Sequence, residues 1–182
     1  MRLRSLERTN GHFMQAIDTA PSQVSYAAGI QQYLSFALGE EQYGIEILRV
    51  QEIKGYSGIT PIPNTPAHIR GVMNLRGTVI PVVDLRAKFH LETRTYDKFT
   101  VIIVVTVGAR IIGLVVDAVS DVLDISRTDI RPAPELGHSD STRFISGMVH
   151  VGEHLVVLLD IATLLADDSL GETAAQPAAV KE

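Results

Sequence analysis

The stretch that decides the fold runs from His68 to Leu85 and reads HIRGVMNLRGTVIPVVDL. Its β-branched residues crowd both sides of Arg76 and Gly77, a pattern typical of two half-buried strands. A glycine in a two-residue turn readily adopts the positive φ that a tight hairpin requires. The stretch therefore predicts a β-hairpin whose tip is Arg76-Gly77.

The predicted hairpin occurs a second time. Residues 145–161 read ISGMVHVGEHLVVLLDI and align with the first copy without a gap. Gly71 and Gly147 are 76 residues apart, and so are Asp84 and Asp160. One supersecondary unit is therefore used in each half of the chain.

A second repeat precedes each hairpin. Alternating apolar residues predict two strands, a kink at Leu48 and a third strand over residues 33–55, and the same order returns from Ile102 onward. The spacing here is 69 residues, as between Gly39 and Gly108. The later spacing of 76 places seven more residues in the second connector, which we expect to be a mobile loop within 135–143.

Each half should end in a short amphipathic helix. Asp84 and Asp160 stand where an N-cap belongs, with a carboxylate oxygen available to the first free N–H groups. Each half then offers about five strands, and sheets that small close into barrels to remove their edges. The halves, about 31–95 and 96–166, should pack side by side around a shared apolar layer, leaving a groove between them.

The composition is that of an ordinary globular chain: 182 residues, 46% hydrophobic, 20% charged. With no cysteine, disulfides, thiolate nucleophiles and cysteine-based metal sites are excluded. The formal net charge of −5 argues against nucleic-acid binding. No apolar run is long enough for a membrane span or a signal core, so we expect a cytoplasmic protein. Residues 1–30 are predicted to be a flexible arm and 167–182 a disordered tail.

The sequence contains little evidence of a catalytic or metal site. The six histidines lack metal-ligand spacing, and His150 with His154 across a hairpin is only a weak zinc signal. No phosphate-binding loop is present. The prediction is no enzyme, no cofactor and no metal. The rival from another class is a small hydrolase that uses Asp84 or Asp160 with a histidine.

Several motifs resemble the CheW family of bacterial chemotaxis coupling proteins. The resemblance covers residues 31 to 166, and it rests on YGIEILRVQEI at 43–53, NTPAHIRGVMNLRG at 64–77, IPVVDL at 80–85, GLVVDAVSDVL at 113–123 and IRPAPE at 130–135. It implies an all-β fold with short helices, in which two SH3-like five-stranded barrels lie side by side without enzymatic activity.

The resemblance also implies partners. Proteins similar to CheW bridge the cytoplasmic tips of transmembrane chemoreceptors to the histidine kinase CheA, whose regulatory domain is itself CheW-like. This chain contains no kinase, phosphotransfer or receiver domain, so it resembles a stand-alone adaptor at membrane receptor arrays, without membrane insertion. The alternative is a coupling protein of a related array that controls surface motility or second-messenger output.

A candidate receptor- and kinase-binding site follows from the same resemblance. Val50, Glu52 and Arg76 match positions associated with coupling. The remaining candidates match apolar positions near the groove or the barrel ends: Ile53, Ile102, Val119 and Val122. Independently of the resemblance, a long cation on a tight turn is a costly choice, which makes a partner for Arg76 plausible. Glu52 could pair with it.

Overall fold

The computed structural model describes residues 29–134 and 142–166, which form a mainly β structure. Two short helices and two 310 turns, at Ile47–Arg49 and Arg127–Asp129, accompany the strands. The elements are β1 (Ile30–Leu38), β2 (Glu41–Glu46), β3 (Val50–Gly55), β4 (Ile59–Thr60), β5 (Ile69–Leu75), β6 (Thr78–Asp84), α1 (Leu85–Lys88), β7 (Val101–Val107), β8 (Arg110–Val116), β9 (Ala118–Ser126), β10 (Ile145–Val151), β11 (His154–Leu159) and α2 (Ile161–Leu164).

The strands form two sheets. The first has the order β10-β11-β2-β1-β9, and the second has the order β3-β7-β8-β6-β5-β4. Neighbouring strands are antiparallel except for β11 beside β2 and β6 beside β8, which are parallel. These two parallel pairs occupy equivalent places in the two repeats, so the repeated hairpin docks in the same way in both sheets. The predicted mainly β class with short helices is confirmed.

The membership of the sheets differs from the predicted halves. The first sheet combines β1 and β2 with β9 to β11, while the second combines β3 to β6 with β7 and β8. The chain crosses between sheets at the 310 turn of Ile47–Arg49, where the sequence predicted a kink, and crosses back at Asp117. A boundary near residue 95 therefore does not separate the sheets. Constant spacing identifies equivalent strands, but it carries no signal about which copy each strand pairs with.

The predicted shared apolar layer is present. Leu34 and Phe36 of the first sheet pack in one buried cluster with Ile103 and Val105 of the second. The alternate residues of β7, Ile102 and Val104, face a separate cluster formed within the second sheet. Strand β7 is thus buried on both faces, as its continuous Val/Ile run predicts. The first sheet has its own smaller cluster around Tyr33, Val149 and Leu158.

Two repeated glycines allow each hairpin to lie against its own connector. A Cβ at Gly71, which has φ +138°, would stand 2.1 Å from the carbonyl oxygen of Thr60. A Cβ at Gly147 would stand 2.4 Å from Cγ2 of Ile130 and 3.0 Å from the carbonyl oxygen of Arg131. The distances of 2.1 and 2.4 Å are shorter than Cβ contacts allow, so the repeat retains glycine where the hairpin crosses its connector.

Both helix starts agree with the sequence. Oδ1 of Asp84 accepts hydrogen bonds from the N–H groups of Arg86 at 2.9 Å and Ala87 at 3.3 Å. Asp160 accepts from the N–H of Ala162 at 3.0 Å. Residues 1–28 of the arm predicted over 1–30, the tail over 167–182 and most of the loop within 135–143 lie outside the described residues. Ile30, the last residue of the predicted arm, begins β1. Within the part described, no helix has the length and apolar character to span a membrane.

Candidate functional site

The tip of the first hairpin has the predicted geometry. Arg76 and Gly77 have φ values of 49° and 90°, and positive values at both central residues define a type I′ turn. The Asn74 side chain closes the turn, because its Oδ1 accepts the N–H of Gly77 at 2.7 Å. Arg76 is held in a left-handed conformation that arginine rarely adopts, with its side chain 75% exposed.

Arg76 reaches Glu52 on β3, as the sequence suggested. Its Nη2 lies 3.0 Å from Oε2 of Glu52, whose side chain is only 22% exposed, and Nζ of Lys54 lies 4.0 Å from the same oxygen. In the order of the second sheet, β3 and the β5–β6 hairpin stand toward opposite ends. The ion pair therefore shows that this sheet curls until its two ends meet.

Glu52 stands at the mouth of the second sheet's core. It lies opposite Val104 on β7, and Lys54 lies opposite Ile102, so both share a face with that sheet's apolar cluster. Oε1 of Glu52 is buried and receives no hydrogen bond from the described residues. A buried carboxylate oxygen without a donor is costly, so Glu52 gains its compensation through Oε2, which pairs with Arg76.

The apolar candidates on β3 lie on the face opposite to Glu52 and Lys54. A register shift between Val50 and Glu52 places Val50 opposite Val105 and leaves Ile53 opposite Ile103, on the face of the shared core. Val50 packs against that core, whereas Ile53 is 44% exposed. The bulge thus directs charged and apolar candidates of one strand to opposite faces.

Strand β9 repeats this arrangement at the edge of the first sheet. Val119 lies opposite Phe36 and packs against the shared core, and Val122 lies opposite Leu34 and is 44% exposed. Each edge strand therefore presents one half-buried and one exposed apolar residue along the margin of the shared core. The geometry brings four apolar candidates to equivalent places on two edges.

Ile102 does not belong to this surface. Its side chain is fully buried in the second sheet's cluster, opposite Lys54. A residue without accessible surface cannot touch a partner, so the prediction that Ile102 contacts one is corrected. Its sequence position misled because β7 is buried on both faces, and an apolar run does not reveal which of its residues reach a margin.

The carboxylates proposed for hydrolysis are engaged in structure. Asp84 is buried, and besides capping α1 it accepts a hydrogen bond from the Tyr96 hydroxyl at 2.6 Å. Burial, followed by the bond to Asp84, raises the pKa of Tyr96, which keeps it a donor. The carboxylate of Asp160 accepts hydrogen bonds from the N–H of Ala162 and, at 2.7 Å, from the hydroxyl of Thr163.

The predicted histidine pair, His150 and His154, is not formed. His150 lies opposite Leu155 and His154 opposite Val151, so the two do not face each other across the hairpin. Over residues 29–134 and 142–166, no group of three histidine or acidic side chains is placed to hold a metal ion. The zinc interpretation of His150 and His154 therefore has no geometric basis in these ranges.

An aromatic groove was not predicted from the sequence. Rings of Tyr43, Phe89 and Phe144 follow one another with centroids 5.5 and 5.2 Å apart, at the wall of a groove of about 520 Å³. Phe89 follows α1 and Phe144 precedes β10. Each is the lone aromatic of its segment, so no local pattern links them.

Comparison with known proteins identifies the family. The profile of the CheW-like domain matches residues 32–169, which is most of the chain. The chain belongs to the CheW family. Its relatives include the chemotaxis protein CheW of Klebsiella aerogenes, which is 48% identical over 140 residues covering 77% of this chain and 84% of that protein. The CheW of Rhizobium meliloti is 34% identical over 140 residues, 77% of this chain and 90% of that one.

A solved CheW structure has the same fold. The scaffolding protein TtCheW of Thermoanaerobacter tengcongensis superposes with a TM-score of 0.68 at 35% identity, covering 74% of this chain and 87% of that one. The CheW resemblance drawn from the hairpin and edge-strand motifs is confirmed. The chain is a chemotaxis scaffold of a non-enzymatic family, which removes the hydrolase alternative.

Proposed function

We propose that this CheW-family scaffold couples the cytoplasmic tips of chemoreceptors to the regulatory domain of CheA, at arrays on the cytoplasmic side of the membrane. The observation that carries the proposal is the pair of equivalent edge strands. Strands β3 and β9 each present a half-buried and an exposed apolar residue at the same spacing. An adaptor needs two contact surfaces, and a repeated fold offers two margins of the same design.

The charged pair supplies the recognition that apolar contact lacks. Arg76 and Glu52 are 3.0 Å apart beside β3, and the second Glu52 oxygen is a buried acceptor. A partner carboxylate could share the guanidinium of Arg76, which is 75% exposed. We assign the edge strand β3 to one partner, with Val50 and Ile53 on one of its faces and Glu52 and Arg76 on the other. We assign Val119 and Val122 on β9 to the other partner. Which surface meets the kinase is an outcome of the test.

Reconstitution tests the proposal directly. Receptor cytoplasmic fragments and CheA are mixed with and without this protein, and kinase activity and co-sedimentation are measured. The proposal predicts that both partners pellet together only when the protein is present, with receptor control of the kinase. Pelleting and activity that are unchanged by the protein would contradict it. Val122→Glu and Ile53→Glu then report which partner each edge serves, because each places a charge on an apolar contact.

A further inference from the structure

Strand β9 begins at a polar cluster centred on Asp117, where the chain crosses from the second sheet to the first. Its Oδ2 accepts the N–H of Gly39 at 2.7 Å and Nη1 of Arg86 at 2.5 Å. The two charged side chains are only 15% and 14% exposed, and Nη1 of Arg94 lies 4.0 Å away. Charge-assisted hydrogen bonds shielded from water are the strong ones.

This cluster ties the two sheets together. Gly39 belongs to the β1–β2 turn of the first sheet, while Arg86 lies on α1, directly after β6 of the second. The guanidinium is fixed from its other side too, because Nε and Nη2 donate to the carbonyl of Glu92 at 3.0 and 2.8 Å. The N–H of Asp117 donates to the carbonyl of Ala37 at 3.2 Å. The start of β9 is thus held from both sheets.

A buried hydroxyl holds the middle of β9. Ser35 Oγ donates to the carbonyl of Asp121 at 2.9 Å and accepts the N–H of Asp121 at 3.0 Å. Ser35 stands where the register of β1 against β9 shifts, between the partners of Val119 and Val122. The hydroxyl satisfies the backbone groups that this bulge takes out of the ladder. Both apolar candidates of β9 are therefore flanked by polar anchors.

The equivalent edge strand β3 is held differently. At the spacing of 69, Leu48 takes the place of Asp117 and Val104 takes the place of Ser35. Leu48 is an exposed large hydrophobic residue in the 310 turn. The polar side-chain contacts of β3 are on the surface: Gln51 Nε2 to Thr106 Oγ1 at 2.7 Å, and the Arg76–Glu52 pair. The repeat therefore has one edge anchored in the interior and one anchored at the surface.

We propose that Asp117 and Ser35 are positioning residues that fix β9 in its binding conformation before a partner arrives. The inference rests on the proposed coupling function and names two residues that act through Val119 and Val122 without touching the partner. A surface that is ordered before binding loses less conformational entropy when the partner binds, so the entropic cost of binding is smaller. Strand β9 is the pre-formed contact edge, whereas β3 is the edge whose surface ion pair a partner can rearrange.

Two variants of the full chain test this. Asp117→Asn keeps an acceptor for the N–H of Gly39 but loses the charge facing Arg86, and Ser35→Ala removes the hydroxyl. For both we expect faster amide hydrogen exchange over residues 118–126 with little change over 50–55. The partner whose binding is weakened by Val122→Glu should bind Asp117→Asn and Ser35→Ala roughly 3- to 30-fold more weakly than wild type. This is the range for residues that modulate binding without contact. The other partner should bind as it does to wild type.

The control is Val115→Ala, a truncation in the second sheet's core, whose cluster contains no residue of β9. It should lower the melting temperature without changing exchange in β9 or the affinity for either partner. Unchanged affinities in both Asp117→Asn and Ser35→Ala would overturn the proposal, and so would an equal loss of binding in Val115→Ala. If Asp117→Asn does not fold, Ser35→Ala decides alone. Failure of the wild-type protein to bind either partner would instead overturn the proposed function, and this inference with it.

Discussion

At the scale of single residues, the repeat preserves side chains for different reasons. Gly71 and Gly147 are kept because a neighbouring segment passes where a Cβ would be. Arg76 is not required by its turn, since its φ of 49° would suit glycine or asparagine better. A residue that strains its own backbone while its side chain stays mostly in water points to a role outside the fold.

The close approach at Gly71 gives a stability prediction. Gly71→Ala should lower the free energy of unfolding by about 1–3 kcal/mol or more, because the methyl group overlaps the carbonyl of Thr60 and the φ of +138° is unfavourable for alanine. Urea denaturation measures it. The control is Gly55→Ala on β3, where a Cβ meets no atom within 4 Å, and it should be close to neutral. Equal stability of the two variants would show that β4 can move aside.

At the scale of elements, the two capped helices differ although their sequences align. Asp160 is exposed and only caps α2, whereas Asp84 is buried and holds both the start of α1 and the Tyr96 hydroxyl. The sequence predicted both caps from the position of an aspartate after a strand. It could not predict the bond to Tyr96, which comes from a connector with no counterpart among the aligned motifs.

The difference between the caps can be measured. Asp160→Ala should lower the free energy of unfolding by about 1 kcal/mol, the usual value for an N-cap. Asp84→Ala should lower the free energy of unfolding by about 2–4 kcal/mol, because it also removes the acceptor of the part-buried Tyr96 hydroxyl. Chemical denaturation of both variants and of Tyr96→Phe measures how much the N-cap and the Tyr96–Asp84 hydrogen bond each contribute to the free energy of unfolding. If Asp84→Ala and Asp160→Ala were equally stable, the Tyr96 bond would contribute nothing.

Edge strands show where sequence reasoning succeeds and where it stops. The apolar period and the spacing of 69 predicted the strands β3 and β9, because the alternation of a strand is a local feature of the sequence. The apolar site candidates came from the resemblance to the CheW family. That resemblance also included Ile102, and the sequence could not correct it, since a strand buried on both faces shows no alternation. It also missed the Arg86–Asp117 pair, whose partners are 31 residues apart in the chain and meet only after the sheets have formed.

At the scale of the whole molecule, the exchange of strands makes each sheet depend on both halves. The first sheet needs β9 to β11 to complete β1 and β2, and the second needs β7 and β8 to complete β3 to β6. The shared core joins Phe36 to Ile103 across the sheets. Sequence spacing revealed the repeat, but the pairing was decided by long-range packing, which leaves no local signal.

Fragments test this topology. A fragment of residues 29–95 should not fold alone, because β3 loses β7, its neighbour in the sheet, and β1 loses β9. A fragment of 96–182 should fail for the same reason, and mixing the two should restore the fold. Amide dispersion in NMR spectra of each fragment and of the mixture is the measurement. A well-dispersed spectrum from either fragment alone would contradict the arrangement.

We propose that the hairpin tip and β3 form a contact surface whose charged pair contributes little to the stability of the fold. Arg76 is 75% exposed, and an ion pair at the surface contributes only about 0–1 kcal/mol, so Arg76→Glu should leave the melting temperature nearly unchanged. Reversing a charge at an interface costs roughly 2–5 kcal/mol for a buried pair, or about 30-fold and more in affinity. The same holds for Glu52→Arg.

The deciding measurement is receptor-coupled CheA activity for wild type, Arg76→Glu, Glu52→Arg and the double reversal, with a thermal melt of each. We expect both single variants to stay folded and lose most coupling. Partial recovery in the double variant would mean that the two residues chiefly orient each other, and no recovery would mean that each meets a partner. Full coupling by Arg76→Glu, or a collapse of its melting temperature, would contradict the account.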